Sequence, residues 1–326
     1  MNRDRRLPAR RGRLLTAQIA GLTAGVVADA VLGDPRRWHP VAGYGRAVTW
    51  LERRAYAPTK RDGARFAALA AGVPVLAATA ATVATRRRPG LRFLLTAATT
   101  WAVLGGTSLR REAYAMASDL NKDDDLVAAR ARVPHLCGRD PDALDEPEIV
   151  RATIESVAEN TSDAQVAPLF WGVVAGLPGL VGYRAVNTLD AMVGHRSPRY
   201  RDFGTASARL DDAANLVPSR LTAAMTVATA PLVDASAPGA LTTWLRDGLK
   251  HPSPNSGQCE AAMAGALGVR LGGRNVYRGR VEIRPTLGRG RAPARTDIRR
   301  AAHLSAAASI AAFGFCVAAR AVWARR

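Results

Sequence analysis

The chain has 326 residues, 48% of them hydrophobic, and a formal net charge of +19. This length allows one large domain or two, with a sizeable core. The arginines cluster beside apolar segments, which favours an anionic membrane surface and argues against a nucleic-acid partner. The three cysteines are far apart and form no CxxC pair, so the sequence indicates neither a disulfide framework nor a zinc site.

Six segments approach the roughly 20 residues that a bilayer span requires. They are Leu14–Gly33, Phe66–Thr85, Phe93–Leu109, Ala164–Tyr183, Leu221–Leu245 and Ala301–Ala319. Their Ala, Thr and Gly residues suit close helix packing in lipid. The predicted fold class is an all-α, polytopic integral membrane protein with roughly four to six apolar helices and polar helical connections. We expect a basic N-terminal tail (1–13), a single membrane-embedded domain (14–319) and a basic C-terminal tail (320–326).

The basic N-terminal stretch, MNRDRRLPARRGRLL, precedes the first apolar segment. An Asp inside the candidate signal-cleavage site argues for a retained first span with its tail in the cytoplasm. The connection after this span, DAVLGDPRRWHPV from Asp29 to Val41, contains prolines that stop a helix. It carries Asp34, Trp38 and His39, either as part of a site or as a helix-terminating turn with an interfacial Trp.

Three acids precede the fourth apolar segment in IESVAENTSDAQVAPLFWGVV. A helix places Glu148, Glu155, Glu159 and Ser162 on one narrow face, and the apolar Ile149, Val150, Ile154 and Val157 on the opposite side. The pairs Glu155–Glu159 and Glu159–Asp163 bring like charges one turn apart, which costs a few tenths of a kcal/mol per pair. A solvated acidic face is one interpretation. A shared divalent cation is the other, since hard cations bind carboxylate oxygens.

Two further helical patterns place amides and acids beside apolar segments. They contain Arg184, Asn187 and Asp190 in YRAVNTLDAMVGHR, and Asp211, Asp212 and Asn215 in SARLDDAANLVPSR. Such groups are expensive in lipid unless they are paired or functional. Internal pairing of Arg184 with Asp190, and of Arg209 with Asp212, is the alternative to a functional role.

The segment HPSPNSGQCEAAMAGALGVRLGG opens with two prolines, and a helix is predicted to begin near Asn255 or Ser256. The free N–H groups of such a helix start favour an anion site, with an ordinary N-cap as the alternative. Further on, LGGRNVYRG from Leu271 to Gly279 predicts a tight Gly-rich turn. The patterns GxxxxGK[ST], GxSxG and HExxH do not occur.

In chain order, five segments closely resemble the CobD/CbiB family of adenosylcobinamide-phosphate synthases of cobalamin biosynthesis. They are LGDPRRWHPV, RATIESVAENTSDAQVAPLFW, YRAVNTLDAMVGHR, FGTASARLDDAANLVPSRLTA and HPSPNSGQCEAAMAGALGVRLGGRNVY. The resemblance covers about residues 22 to 300. It implies a bacterial, multi-pass protein of the cell membrane, with its active site facing the cytoplasm.

The resemblance also implies the reaction. Such an enzyme joins the propionate carboxyl of adenosylcobyric acid to the amine of (R)-1-amino-2-propanol or its O-phosphate, in an ATP-dependent amide ligation. ATP and Mg²⁺ are then the co-substrate and metal, and the corrinoid is a substrate rather than a prosthetic group. The implied partners are these substrates, the lipid bilayer and other late corrinoid-pathway membrane proteins. A corrinoid transporter or a non-catalytic membrane scaffold of the pathway is the alternative.

The residues that match the family's motifs supply the candidate site. The candidate catalytic acids are Glu155, Glu159, Asp190, Asp211 and Asp212, and the candidate metal ligands are Glu159 and Asp163. The candidate substrate- and phosphate-binding residues are Asn160, Arg184, Asn187, Asn215, His251, Ser253, Asn255, Ser256 and Asn275. Which acid holds the metal and which accepts a proton stays open.

A shared cytoplasmic site constrains the topology. If all six segments crossed the bilayer, the connections with Glu155 and His251 would lie on the face opposite Asp211. We therefore expect at least one segment not to span fully, either Leu221–Leu245 or one of Phe66–Thr85 and Phe93–Leu109.

Overall fold

A computed structural model describes residues 6–34, 39–122, 126–277 and 279–324. Its α-helices are α1 (Arg6–Leu32), α2 (Pro40–Ala55), α3 (Lys60–Ala84), α4 (Pro89–Val103), α5 (Gly106–Asp119), α6 (Val127–Arg132), α7 (Glu146–Thr161), α8 (Ala167–Leu189), α9 (Thr205–Thr229), α10 (Ala237–Asp247), α11 (Ser256–Leu267) and α12 (Arg295–Trp323). The chain is 77% helical, which confirms the predicted all-α class. The predicted interfacial Trp38 lies outside the described residues.

Among the described residues, five helical segments are long and apolar enough to cross a membrane. They are Gly12–Leu32, Lys60–Ala84, Glu146–Gly194, Thr205–Val233 and Arg295–Trp323. This number confirms the prediction of a polytopic membrane protein. Helix α4, with 15 residues, extends only about 22 Å, less than the roughly 30 Å of a hydrocarbon core.

The prediction of one continuous segment over Phe93–Leu109 was wrong. Helix α4 ends at Val103, Leu104 has an extended backbone, and α5 begins at Gly106. The predicted segment Leu221–Leu245 is likewise divided between α9 and α10. A 3-10 turn over Ala230–Val233 follows α9, and Asp234 adopts a left-handed conformation with φ 52°. This break lies where Pro231 and Asp234 interrupt the apolar pattern.

Helices α7 and α8 are joined by a π-helical segment, Ser162–Val166, and a second π segment, Asp190–Gly194, follows α8. Both contain a candidate acid, Asp163 in the first and Asp190 in the second. A π segment forms i→i+5 hydrogen bonds, so residues that follow it lose the register of an α-helical face. Such segments are frequent at functional sites.

A small antiparallel hairpin contains strands β1 (Leu271–Tyr277) and β2 (Arg280–Leu287). The prediction of a tight Gly-rich turn over Leu271–Gly279 was therefore wrong. The glycines form a bulge at the start of β1, where Gly272 and Gly273 have φ of 81° and 92°. Only glycine adopts such angles without strain. The two glycines therefore form a β-bulge within the strand and not a turn.

Contacts within the chain divide the protein into two compact units. Unit 1 comprises Met1–Gly105, Ala167–Ala214 and Phe315–Arg326, and unit 2 comprises Gly106–Val166 and Asn215–Gly314. The expectation of a single domain over residues 14–319 stays a prediction. The core of unit 2 contains Met116 of α5, Ile154 of α7, Met263 of α11 and Leu304 of α12, all nearly inaccessible to solvent.

Helix α11 of unit 2 is buried along its whole length. It packs against α10 through Gly265, where an added Cβ would overlap the carbonyl oxygen of Gly239. At the start of α11, a Cβ on Gly257 would lie 2.5 Å from the carbonyl oxygen of Gly248. Backbone atoms at both ends of α10 therefore fix the position of α11.

In unit 1, α1 packs tightly against α4 through two glycines. A Cβ on Gly21 would lie 2.8 Å from the carbonyl oxygen of Phe93, and one on Gly25 would lie 2.7 Å from that of Ala97. Gly72 of α3 has open space around the same position. Small residues thus let two apolar helices approach closely, as in other membrane bundles.

We predict that Gly25→Ala destabilises the protein by about 1–3 kcal/mol, because the added methyl must displace backbone. The matched control, Gly72→Ala, should be neutral or stabilising by up to about 1 kcal/mol, since alanine favours a helix. The measurement is the apparent Tm of each detergent-solubilised variant. It is the temperature at which half of the monodisperse chromatographic peak is lost. Equal Tm values for the two variants would contradict the close packing of α1 and α4.

Candidate active site

Unit 2 contains a group of ionisable side chains that come from distant parts of the chain. We call it the acid–arginine cluster; its members are Arg139, Glu155, Glu159, His251, Glu260 and Arg284. The acids lie on α7 and α11, Arg284 on β2, and the other two in loops. Four of the six are at least nine-tenths buried, and Glu159 and Arg284 are partly exposed.

Helix α7 begins with a capping box that explains its position. The Asp145 carboxylate accepts a hydrogen bond from the Glu148 N–H (2.9 Å), and the Glu148 carboxylate accepts one from the Asp145 N–H (3.2 Å). Ile149, Ile154 and Val157 are buried, as the predicted apolar side of the helix requires. Glu148 thus caps the N-terminus of α7, whereas Glu155 and Glu159 further along the helix take no part in the cap.

Glu155 is 4% exposed, so the interpretation of a solvated acidic face is wrong for this residue. Its carboxylate accepts hydrogen bonds from Arg139 Nη2 and from the Gly272 N–H, the latter at 2.6 Å. Burial disfavours the Arg139 cation, but the Glu155 charge outweighs this effect and raises the pKa of Arg139. The two groups therefore form a buried ion pair.

Glu159 faces the start of α11. Its carboxylate accepts a hydrogen bond of 2.8 Å from the Ser256 hydroxyl, and Ser253 Oγ accepts bonds from the N–H groups of Asn255 and Ser256. The predicted start of this helix is confirmed at Ser256. The Asn255 side chain does not cap it, but accepts a bond of 3.1 Å from Ser219 Oγ. The candidate Glu159 thus lies beside Ser253, Asn255 and Ser256, which follow it about a hundred positions later in the chain.

Both ring nitrogens of His251 lie close to polar groups. The Ser253 N–H donates to Nδ1 (3.0 Å). Nε2 lies 3.9 Å from Glu260 Oε1 and 3.3 Å from Arg284 Nη1. Burial and the nearby Arg284 charge lower the pKa of His251, which favours the neutral ring.

Glu260 is 2% exposed on α11. Burial, followed by the charges of Glu155 and Glu159, raises the pKa of this carboxyl well above its usual range. Glu260 was not among the candidate residues predicted from the sequence. The sequence did contain an indication, because Glu260 is followed by the small and apolar residues AAMAGAL. Burying a carboxylate among such residues costs free energy, which indicates a functional role.

Arg139 was also missed, and no sequence pattern identifies it, because it lies in an irregular loop before α7. Two of its guanidinium nitrogens, Nε and Nη1, are buried without a hydrogen-bond partner. The candidate Asn275 on β1 is 1% exposed, and neither atom of its amide has a partner. Buried polar groups are normally hydrogen-bonded, so these atoms fit a polar ligand.

Unit 1 holds a second group of candidates. Arg184 donates to the Val103 carbonyl (2.9 Å) and to Asn187 Oδ1 (3.2 Å), and Asn187 Nδ2 donates to Asp211 Oδ1 (3.3 Å). Asp190 begins the second π segment, and Asp212 follows Asp211 on α9. These hydrogen bonds connect α8 to α9 and to the end of α4.

The remaining candidates lie in unit 2. Asn160 Nδ2 donates to the carbonyl (2.9 Å) and the hydroxyl (3.2 Å) of Ser156, one turn earlier on α7. Asn215 is buried on α9, and Asp163 is partly exposed in the first π segment. In the part of the chain that the structure describes, no group of three or more His, Cys, Asp or Glu side chains is arranged to hold a metal ion.

We predict that Glu155→Gln destabilises the protein by about 3–5 kcal/mol, because it leaves Arg139 buried without its counter-charge. The comparison variant is Glu159→Gln on the same helix, which keeps an acceptor for Ser256 and should change stability by less than about 1 kcal/mol. Apparent Tm values in detergent measure both. A Glu155→Gln variant as stable as Glu159→Gln would contradict the buried ion pair.

We also predict a pH-dependent effect of Glu260→Gln. Because the folded state raises the pKa of Glu260, its contribution to stability is fully present below the unfolded pKa and is lost as the pH rises through the folded pKa. Glutamine does not titrate. The Tm of the variant minus that of the wild type should therefore increase as the pH rises above the ordinary pKa range of a glutamate side chain. A constant difference would show that Glu260 titrates as an ordinary carboxyl.

Comparison with known proteins identifies the family. The family model described as "CobD/Cbib protein" matches residues 22–305. The chain is 52% identical over 287 residues to "Cobalamin biosynthesis protein CobD" of Mycobacterium tuberculosis, covering 87% of this chain and 90% of the relative. The protein of the same description from Geobacter metallireducens is 45% identical over 273 residues, covering 82% of this chain and 85% of the relative.

No solved structure matches this chain significantly. The family match extends over both units, from α1 to α12, and so includes the acid–arginine cluster and the polar group of unit 1. On this coverage and on the identity to its relatives, the chain belongs to the CobD/CbiB family.

Proposed function

We propose that this member of a cobalamin-biosynthesis family is an amide-forming ligase of the cell membrane. It would join the propionate carboxyl of adenosylcobyric acid to the amine of (R)-1-amino-2-propanol or its O-phosphate, with ATP as co-substrate. The observation that carries the proposal is the acid–arginine cluster, in which carboxylates, guanidinium groups and a histidine converge beside a helix start. The names of the relatives support the pathway.

The chemistry requires an activated carboxyl group. An amine does not displace oxide from a carboxylate, so one oxygen must first become a leaving group, and transfer of the terminal phosphoryl group of ATP achieves this. The amine then attacks the acyl carbon, loses a proton, and phosphate leaves. Phosphoryl transfer depends on positioning and on charge stabilisation around the phosphate oxygens. Acids, cations and hydroxyl donors are the groups that such a site needs.

Glu159 is our candidate for the Mg²⁺ ligand, with Asp163 as the second. Bound Mg²⁺ would neutralise the phosphate charge. Mg²⁺ commonly uses one or two carboxylates together with substrate phosphates, so the proposal needs no further acid for this role. Asp163 lies in the π segment, so its alignment with Glu159 departs from the predicted α-helical spacing.

The other cluster residues have complementary roles in the proposal. The Ser253 and Ser256 hydroxyls beside the start of α11 would contact phosphate oxygens, and Arg284 would be the cation for the developing charge. Glu260, when ionised, is the buried acceptor for the proton that the amine loses, and His251 orients it. Asp190, Asp211 and Asp212 of unit 1 stay candidate catalytic residues, and Arg184, Asn187 and Asn215 stay candidate binding residues.

We predict that Glu159→Gln lowers turnover by about 100-fold or more, because the neutral amide holds a divalent cation poorly. Higher Mg²⁺ should restore part of the activity. The assay uses detergent-purified protein with adenosylcobyric acid, aminopropanol or its phosphate, and ATP–Mg²⁺, and measures both the amide product and ADP.

The matched control for Glu159→Gln is Glu148→Gln on the same helix, since glutamine preserves the capping box. Its turnover should equal that of the wild type. Equal turnover of the Glu159→Gln variant at low Mg²⁺ would remove Glu159 from the site. A wild-type protein that forms no amide with any of these substrates would favour the transporter or scaffold.

A further inference from the structure

The inner face of the β1–β2 hairpin carries polar side chains from both strands, among them those of Asn275, Tyr277, Glu282 and Arg284. In the strand register, Gly273 pairs with Arg284 and Asn275 pairs with Glu282. Residues directly opposite each other project to the same side of a sheet, and so do residues two positions apart on one strand. Asn275, Tyr277 and Arg284 therefore share one face of the hairpin.

This face is turned towards the acid–arginine cluster. Arg284 Nη1 lies 3.3 Å from His251 Nε2, and the Tyr277 hydroxyl is close enough to Arg139 to interact with its charge. The Asp140 N–H donates to the Val276 carbonyl (3.0 Å), which ties the loop that carries Arg139 to β1. Arg139 and Asn275 are the residues that immediately precede the two joined by this hydrogen bond.

Backbone contacts, and not its own side chain, fix Asn275 in this place. Arg151 of α7 donates to the carbonyl oxygens of Gly272 and Arg274, and Glu155 accepts from the Gly272 N–H. The Asn275 amide is 1% exposed, yet neither Oδ1 nor Nδ2 has a partner. A buried amide that its own fold does not use lowers stability, which natural proteins tolerate mainly at functional sites.

The unpartnered atoms specify a ligand chemistry. Asn275 presents one acceptor and one donor side by side, and Arg139 adds N–H donors at Nε and Nη1. A carboxylate or phosphate offers only acceptors and would leave Asn275 Oδ1 without a donor. A cation would leave Nδ2 without an acceptor. A planar edge with an N–H donor beside an acceptor satisfies both atoms, as an Asn amide does with the adenine edge.

We propose that Asn275 and Arg139 form a substrate-binding subsite for such an amide-like edge, with Arg139 donating to an acceptor atom next to it. The inference rests on the proposed function, because two of the proposed substrates present this chemistry. The corrinoid carries primary carboxamides around its ring, and ATP and the adenosyl group carry adenine. The subsite assigns a binding role to Arg139 beyond its ion pair with Glu155.

The test is ligand binding by the full chain in detergent, without the amine, so that no turnover occurs. The variant Asn275→Leu replaces the amide by an apolar group of similar size. The control Arg274→Gln changes the neighbouring residue of β1, whose side chain is exposed. The ligands are adenosylcobyric acid, cobyric acid that lacks the adenosyl group, and ATP–Mg²⁺, each titrated to obtain a Kd.

We expect Asn275→Leu to raise the Kd of one ligand class by about 10-fold or more, while Arg274→Gln leaves every Kd unchanged. A loss for both corrinoids identifies a carboxamide, and a loss for ATP–Mg²⁺ or only for the adenosylated corrinoid identifies adenine. The ligand-free Asn275→Leu protein should also show a higher apparent Tm than the wild type, since it no longer buries an unpartnered amide. If this variant does not fold, Asn275→Ala replaces it in the binding assay.

Unchanged Kd values for all three ligands, with whichever of the two variants folds, would overturn the inference, and so would a lower Tm of a folded Asn275→Leu protein. These results are separable from a failure of the proposed function. Wild-type protein that forms the amide, together with an Asn275→Leu variant of unchanged affinity, contradicts the subsite alone. Wild-type protein that binds the corrinoid through Asn275 but forms no amide contradicts the ligase and leaves the subsite in place.

Discussion

The buried ion pair of Glu155 with Arg139 is the interaction on which the rest of the acid–arginine cluster depends. Glu155 uses both carboxylate oxygens, one for the Arg139 guanidinium and one for the Gly272 N–H. Three separate parts of the chain, the loop before α7, α7 itself and the bulge of β1, are thereby joined at one buried charge. Without this carboxylate, a guanidinium and a backbone N–H would be buried unsatisfied, and the hairpin would lose one of its attachments to α7.

The cluster holds three carboxylates close together, and each avoids the cost of an unbalanced buried charge in a different way. Glu155 is balanced by a fixed cation. Glu260 favours its neutral form, because burial and its acidic neighbours raise its pKa. Glu159 stays partly exposed and accepts a hydroxyl hydrogen bond. A buried carboxyl with a strongly raised pKa beside other charged groups is typical of functional sites.

The features that depend on a local residue pattern could be predicted from the sequence. The acids of α7, its buried apolar side and the start of α11 at Ser256 follow from helical spacing and from the prolines before that helix. The hairpin was not predicted, because Gly272 and Gly273 indicate a turn unless the strand pairing that uses their positive φ is known. Arg139 could not be predicted at all, since its partners are brought to it only by the fold.

The glycine contacts of α11 have a consequence for how the site can change. This helix supplies Ser256 and Glu260, but its placement depends on Gly257 and Gly265, which meet the backbone of their neighbours and carry no functional group. Even one methyl group at either glycine would shift the helix relative to the hairpin and α7. The geometry of the cluster therefore depends on two glycines that have no side chain to keep the helices apart. Substitutions that change the chemistry of the cluster can be made in the loops and in the hairpin. The residues that pack between α10 and α11 have to be kept.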